Sequence, residues 1–324
     1  MHLFCLLHSL PHRIFSVAAI IVLSFSVSGC FLFIWPEKSS LRIEESQSDK
    51  SAHYRLSEDD SYSCMRIYLP DHPRQTPCPA VVIFPGGAYG VLAWEKEGKD
   101  YAEFLNRHGI AGIVVKYPLG SLFGHFARHP AMLNAAQRAI RLIRYHAKKL
   151  NIDPRKIGVM GSSAGGHLAG LCAVWECSGK ADSSDPVERV SARPDFAVLC
   201  YPVVSMTAPC THQLSRKNLA GSDASPELLD RLSLEKRVTK NFPPVFLWLT
   251  LEDRTVDPEN SRLLEAAFKR NQVFYRAFYY PHGPHGMGLL SESERKKYPD
   301  AACWPAEMIR FFRSAGILSG EKRP

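Results

Sequence analysis

Lys156-Ile-Gly-Val-Met-Gly-Ser-Ser-Ala-Gly-Gly-His-Leu-Ala169 is the stretch whose reading decides the fold. Ile157 to Met160 read as a short buried strand, Gly161 to Gly165 fit the pattern G-x-S-x-G, and the chain from His167 onward reads as a helix. Strand, very tight turn and helix follow in the order needed to lift a serine hydroxyl over the edge of a sheet. Gly161 and Gly165 sit where a larger side chain would collide with neighbouring backbone. The helix that follows aims its free N–H groups and positive dipole end at the same place.

Outward from this turn, strands and helices alternate. Met65 to Pro70, Ala80 to Phe84, Ile110 to Lys116, Asp195 to Tyr201, Pro244 to Thr250 and Phe274 to Tyr280 read as strands. Helices are expected over Glu97 to His108, Ala131 to Leu150, Ser261 to Arg270 and Pro305 to Ala315. This alternation predicts an α/β fold with a mostly parallel, doubly wound sheet covered on both faces. Met206 to Asn241 shows short helical patches and no strand, and reads as a small cap inserted near the site. Pro85-Gly-Gly-Ala-Tyr-Gly90 follows an apolar strand, and its glycines let backbone N–H groups approach a ligand closely.

A serine is a weak nucleophile at neutral pH and needs a base, which in turn needs a carboxylate to fix its tautomer. Candidate acids cluster in Thr250-Leu-Glu-Asp-Arg-Thr-Val-Asp-Pro258, and candidate bases in Tyr280-Pro-His-Gly-Pro-His-Gly286. Both clusters follow strands, on the edge where a doubly wound sheet builds its site. Asp253 lies just past its strand, whereas Asp257 precedes Pro258 and suits a helix cap. His285 sits in a loop able to turn back over the sheet, while His282 follows its strand almost immediately. His125, His129, His167 and His212 read as packing or supporting residues. Tyr89, Trp94 and Tyr201 lie where their rings could stack on a sugar face.

Together, Pro85 to Gly90, Asp153 to Ala169, Glu252 to Ser261 and Gly283 to Gly286 resemble the α/β-hydrolase carbohydrate esterases of the acetylxylan esterase type. The resemblance runs from about Tyr68 to Phe312. It implies Ser163 as nucleophile, Asp253 as acid and His285 as base. It also implies an oxyanion hole from the N–H groups of Gly87 or Ala88 together with Ala164. The chain departs from that pattern at Val256-Asp257, where the family carries Val-Pro, and at Ala88, where it tends to have glycine. The implied substrate is an acyl ester, small or oligosaccharide, with acetyl preferred, and no cofactor or metal is called for. A general short-chain carboxylesterase or lipase is the main alternative, although Phe84-Pro-Gly-Gly lacks the His-Gly-Gly of the hormone-sensitive-lipase type. A peptidase of the same fold is a weaker one. A glycosidase needs two facing carboxylates, and no such pair is marked. A binding protein that kept the fold would commonly have lost the serine or the histidine.

The 324 residues suffice for one large domain, 61–318, and the net charge of +8 is scattered without a dense basic run, so no nucleic-acid partner is expected. Residues 1–30 read as an export segment, with an apolar or Ser run from Ile14 to Val27. Val27-Ser-Gly-Cys30 resembles a bacterial lipobox, which implies cleavage before Cys30 and a lipid on its thiol. Phe31 to Trp35 prolongs the apolar run to about 20 residues, the length of an uncleaved anchor. Either reading, like a plain signal peptide, exports the domain, and residues 31–60 then read as a tether. Seven of the nine cysteines lie beyond this segment and none forms a C-x-x-C pair, so a structural zinc site is not expected and disulfide pairing stays open.

Overall fold

The computed structural model describes residues 51–55, 63–70, 76–120, 127–175 and 177–319. The export segment, with Cys30, and most of the expected tether lie outside these residues, as does His125. No helix among the described residues is long and apolar enough to cross a membrane.

Among the described residues, eight strands form one sheet: β1 (Ser51–Arg55), β2 (Cys64–Tyr68), β3 (Cys78–Phe84), β4 (Ala111–Lys116), β5 (Ile152–Ser162), β6 (Ala197–Cys200), β7 (Val245–Thr250) and β8 (Tyr275–Tyr280). Their order is β1-β2-β4-β3-β5-β6-β7-β8. β3 to β8 run parallel, while β2 is antiparallel to both β1 and β4. The mostly parallel, doubly wound sheet expected from the alternation is therefore present. Every residue of β3 and of β7 is buried, as in strands covered on both faces.

β1 differs from expectation. Its residues fall within the stretch read as a tether, yet they pair with β2 from Ser51 opposite Tyr68 to Arg55 opposite Cys64. His53-Tyr-Arg55 shows no apolar alternation. It is the unpaired edge of β2 that recruits this segment, because an open edge offers a row of free N–H and C=O groups.

One face of the sheet is covered by α1 (Asp100–Arg107) and α8 (Trp304–Ser314). Tyr101, Ala102 and Leu105 of α1, and Met308, Phe311 and Phe312 of α8, join Val81, Ile83, Met160, Val198, Phe246 and Trp248 in one buried cluster. The indole of Trp248 stacks on that of Trp304 at 4.7 Å. The other face takes α2 (Ala131–Tyr145), α3 (Ala164–Val174) and α6 (Glu259–Arg270). The helix expected to reach Leu150 stops at Tyr145, and the chain turns into β5 through Asn151, which holds a positive φ of 53°. The cap expected over Met206 to Asn241 contains α4 (Gln213–Ala220), α5 (Pro226–Leu232) and a 3₁₀ turn at Leu234–Lys236.

The sheet winds one way from β3 to β4 and the other way from β3 to β5. The carboxyl ends of β3 and β5 are thus the topological switch point, where an open α/β sheet leaves a crevice. The Gly-Gly turn and Ser163 meet there. Among the described residues, Cys172, Cys200, Cys210 and Cys303 are free thiols.

Candidate active site

Ser163 sits between β5 and α3 at φ 54°, ψ −121°, outside the comfortable regions for an L-residue. Close packing holds it there. A Cβ built on Gly161 would lie 2.0 Å from the Gly165 carbonyl oxygen, and one on Gly165 would lie 2.0 Å from that of Phe84. Only glycine at both positions lets the first turn of α3 press against the ends of β3 and β5. The Ser163 N–H donates to Cys200 O, and its own carbonyl accepts from Val203 and His167 N–H.

His285 lies after β8 in a loop whose glycines, Gly283 and Gly286, adopt φ 132° and 73°. That conformation swings the imidazole back over the sheet. His285 Nε2 lies 2.8 Å from Ser163 Oγ, and Nδ1 lies 2.6 Å from Asp253 Oδ2. A carboxylate only accepts, so Nδ1 carries the proton and Nε2 accepts from the serine hydroxyl. Asp253 is 5% exposed, and its Oδ1 accepts the N–H groups of Thr255 and Val256 at 2.9 and 3.0 Å. Those two bonds lock its rotamer towards His285.

The two choices left open in the sequence separate cleanly. Asp257 is exposed, and its carboxylate accepts Glu259 N–H at the start of α6, as a cap does. His282 is exposed and pairs with Glu252 at 2.9 Å, away from Ser163.

The turn after β3 is pinned by its carbonyls. Gly86 O accepts from Ala93, Gly87 O from Gly90 and Val91, Ala88 O from Asn218 Nδ2, and Tyr89 O from Gly120. Gly87, Ala88 and Tyr89 all have positive φ. Among the described residues the N–H groups of Gly87 and Ala88 donate to no protein group. Ala164 N–H is the first of α3 and lies outside the helix's own bonding. The turn lies beside the serine, since a Cβ on Gly86 would be 3.1 Å from Ser163 Cβ.

Two of the three aromatic residues depart from expectation. Tyr89 and Tyr201 do not present their rings to a ligand. Tyr89 is 0% exposed, its ring packs edge-on against Tyr117, and its hydroxyl donates to His167 Nδ1 at 2.8 Å. The positive φ of residues 87–89 turns the Tyr89 side chain inward. Tyr201 is buried beneath His285, ring to ring at 5.0 Å. Trp94 is half-buried and packs against the core cluster.

His167 is a supporting residue. Its Nε2 donates to Leu232 O at 2.8 Å, which ties the helix after Ser163 to the cap. Burial pushes its pKa down to about 4, so it is neutral at pH 7 and Nδ1 is free to accept from Tyr89. His129 packs its ring edge-on against Trp175 at 5.0 Å. His212 bonds Ser215 Oγ, and burial and the nearby His285 lower its pKa. Asn218, Asn260 and Glu97 are parts of this region that the sequence did not mark. Asn260 Oδ1 accepts Val204 and Ser205 N–H, and its Nδ2 donates to Cys210 O, fastening the cap's entry to α6. A polar side chain that braces distant backbone leaves no local pattern to find.

This geometry can be set beside known proteins. The chain is 32% identical over 249 residues to the acetylxylan esterase of Xylanibacter ruminicola, covering 76% of this chain and 48% of that protein. It is 36% identical over 213 residues to endo-1,4-beta-xylanase B of Butyrivibrio fibrisolvens, covering 65% and 33%. The chain thus spans between a third and a half of the length of these two relatives. Among solved structures, the acetyl ester-xyloside bifunctional hydrolase of Caldicellulosiruptor lactoaceticus superposes with a TM-score of 0.74 at 38% identity, over 85% of this chain and 96% of that one. The fold is that of the α/β-hydrolases. The BD-FAE family model matches residues 65–268, a span that holds the Gly-Gly turn, the Ser163 turn and the Asp253 loop, and the chain belongs to that family.

Proposed function

We propose that this protein is a serine esterase that removes acetyl groups from acetylated xylan or xylo-oligosaccharides. The observation that carries the reading is the hydrogen-bonded chain Asp253–His285–Ser163 at the carboxyl edge of the sheet, beside a turn with free N–H groups. The acetyl and xylan parts are supported by what the relatives are named for.

In this reading Ser163 Oγ attacks the acyl carbon while its proton passes to His285 Nε2. The imidazolium keeps its Nδ1–H on Asp253, which stabilises the new positive charge without taking the proton. The negative charge on the former carbonyl oxygen meets the N–H groups of Ala164 and of Gly87 or Ala88, already oriented before reaction. Collapse of the tetrahedral intermediate expels the sugar hydroxyl, protonated by His285 Nε2–H. A water molecule then repeats the sequence on the acyl-enzyme and frees acetate. Glycoside cleavage would need two facing carboxylates. Near Ser163, Asp253 is engaged by His285, and Glu97 is engaged by Gly86 and Tyr201.

Burial of Tyr89 and Tyr201 removes two aromatic platforms for sugar, which keeps a general short-chain carboxylesterase as the second reading. A panel of p-nitrophenyl acetate, butyrate and octanoate, run beside acetate release from acetylated xylan, separates the two. We expect kcat/KM to fall at least about tenfold from acetyl to butyryl, the scale on which a small pocket rejects extra methylenes. Equal or rising values with chain length would move the protein to the general carboxylesterases.

The domain is further proposed to be exported and held at a membrane through Cys30, on the strength of Val27-Ser-Gly-Cys30. Mass spectrometry of the mature protein is expected to find a lipid-modified Cys30 as the first residue. An intact Met1 in the membrane fraction would mean an uncleaved anchor instead.

A further inference from the structure

Glu97 is 4% exposed and lies in a π-helical turn, Glu95–Lys99, just ahead of α1. Wide turns of this kind are rare and gather at functional sites. Its Oε2 accepts the Gly86 N–H at 2.8 Å, and its Oε1 accepts the Tyr201 hydroxyl at 2.8 Å. The same hydroxyl accepts the Gly288 N–H at 3.2 Å and lies 3.3 Å from Tyr101 OH, which reaches Ser162 Oγ at 3.1 Å. A Cβ on Gly286, next to His285, would lie 3.8 Å from Glu97 Oε1. One carboxylate thus touches the turn beside Ser163 directly and the histidine loop through Tyr201.

A buried carboxylate is costly unless a cation or several donors answer it. Lys96, the adjacent cation, is directed to Glu294 at 3.4 Å on the surface. The Glu97 pKa is raised, by burial above all, against the smaller opposing pull of the Tyr201 and Gly86 hydrogen bonds and of the nearby His285 and Lys96. Tyr101 from α1, Tyr117 after β4 and Cys200 of β6 also face it, and all three are neutral at pH 7, their own pKa values raised by burial. His285 itself is faced by Asp253, Ser163, Tyr201, His212 and Glu97.

We propose that Glu97 is a positioning residue for the ester cleavage described above: its carboxylate, both oxygens of which accept hydrogen bonds, holds the Gly86 turn beside Ser163, fixes the histidine loop through Tyr201, and favours the imidazolium that forms on His285. The Ser163 proton still passes to His285 Nε2, and Glu97 takes none. The proposal rests on the serine esterase reading, so its test uses a reaction of the triad that needs no natural substrate. That reaction is phosphonylation of Ser163 by a fluorophosphonate, followed as a rate against pH.

Glu97→Gln keeps the shape and one acceptor oxygen but removes the charge. Its phosphonylation rate on the plateau is expected to fall about 10- to 100-fold, the range seen when preorganised electrostatics are weakened. The midpoint on the acid side of the profile is expected to move to lower pH by about one unit, because an imidazolium without a nearby anion gives up its proton sooner. Tyr201→Phe keeps the ring on His285 and cuts the link between Glu97 and Gly288, and its rate is expected to fall about tenfold. Circular dichroism melts check that each variant is folded. A folded Glu97→Gln whose midpoint stays at the wild-type value overturns the proposal, whatever its rate. If that variant does not fold, a Tyr201→Phe rate equal to wild type overturns it. A wild-type protein that fails to react with the fluorophosphonate overturns the esterase reading, and this inference with it.

Discussion

Replacing Ser163 or His285 with Ala is expected to lower kcat on the order of 10⁶-fold, and the double variant is expected to be hardly worse than either single one. The two side chains act as a unit. Without Ser163 Oγ no acyl-enzyme forms, and without His285 Nε2, at 2.8 Å, the hydroxyl proton has no acceptor within reach. Fluorophosphonate labelling and ester hydrolysis should disappear together, while the melting curve stays close to wild type. Ser163→Ala removes a single hydroxyl, and His285 is a partly buried loop residue whose loss leaves the core cluster intact. Additive losses in the double variant would show that the two groups do not serve one step.

Asp253→Asn is expected to cost on the order of 10⁴-fold in kcat, while Asp257→Asn stays within a few-fold of wild type. The contrast follows from what each carboxylate touches. Asp253 Oδ2 accepts His285 Nδ1–H at 2.6 Å, and its Oδ1 is held by Thr255 and Val256. An asparagine in the same rotamer can put its amide towards His285. It would then donate to Nδ1 and force the proton onto Nε2, where it blocks the serine. Asp257 caps a helix on the surface, and asparagine caps nearly as well. Steady-state kinetics on p-nitrophenyl acetate gives both numbers. A large loss at Asp257 with a small one at Asp253 would reverse the assignment of the acid.

Glu97→Gln and the two triad variants also differ in kind. Loss of Ser163 or His285 removes the reaction, so no pH profile remains to be read. Loss of the Glu97 charge leaves the reaction and moves its profile. Tyr201 belongs with Glu97 because its hydroxyl is the shared point between that carboxylate and Gly288 N–H.

The features legible in the sequence were those made by near neighbours. G-x-S-x-G between an apolar strand and a helix specifies its own backbone, because glycine is needed where 2.0 Å contacts with Gly165 O and Phe84 O await any Cβ. The strand–helix alternation specifies a parallel sheet, since each crossover helix must cover a face. The chemistry-bearing residues at strand ends followed from those two facts, and so did the order Ser163, Asp253, His285.

Tertiary structure alone decided the rest, because the deciding partners are far apart in the chain. Asp253 and Asp257 differ by four positions, and the sequence favours Asp253 by its place just past a strand. The contact that separates them forms only when the His285 loop, held by Gly283 and Gly286, folds back to Asp253 and, across 122 residues, to Ser163. Tyr89 suits a sugar platform by composition, but three successive positive φ values turn it inward to His167, 78 residues away. Ser51 to Arg55 carry no strand pattern and become a strand because β2 offers an open edge. Glu97 carries no motif at all. Its meaning comes from Gly86 on one side and from Tyr201, 104 residues on, at the other, because hydrogen bonds between distant parts of the chain leave no local pattern.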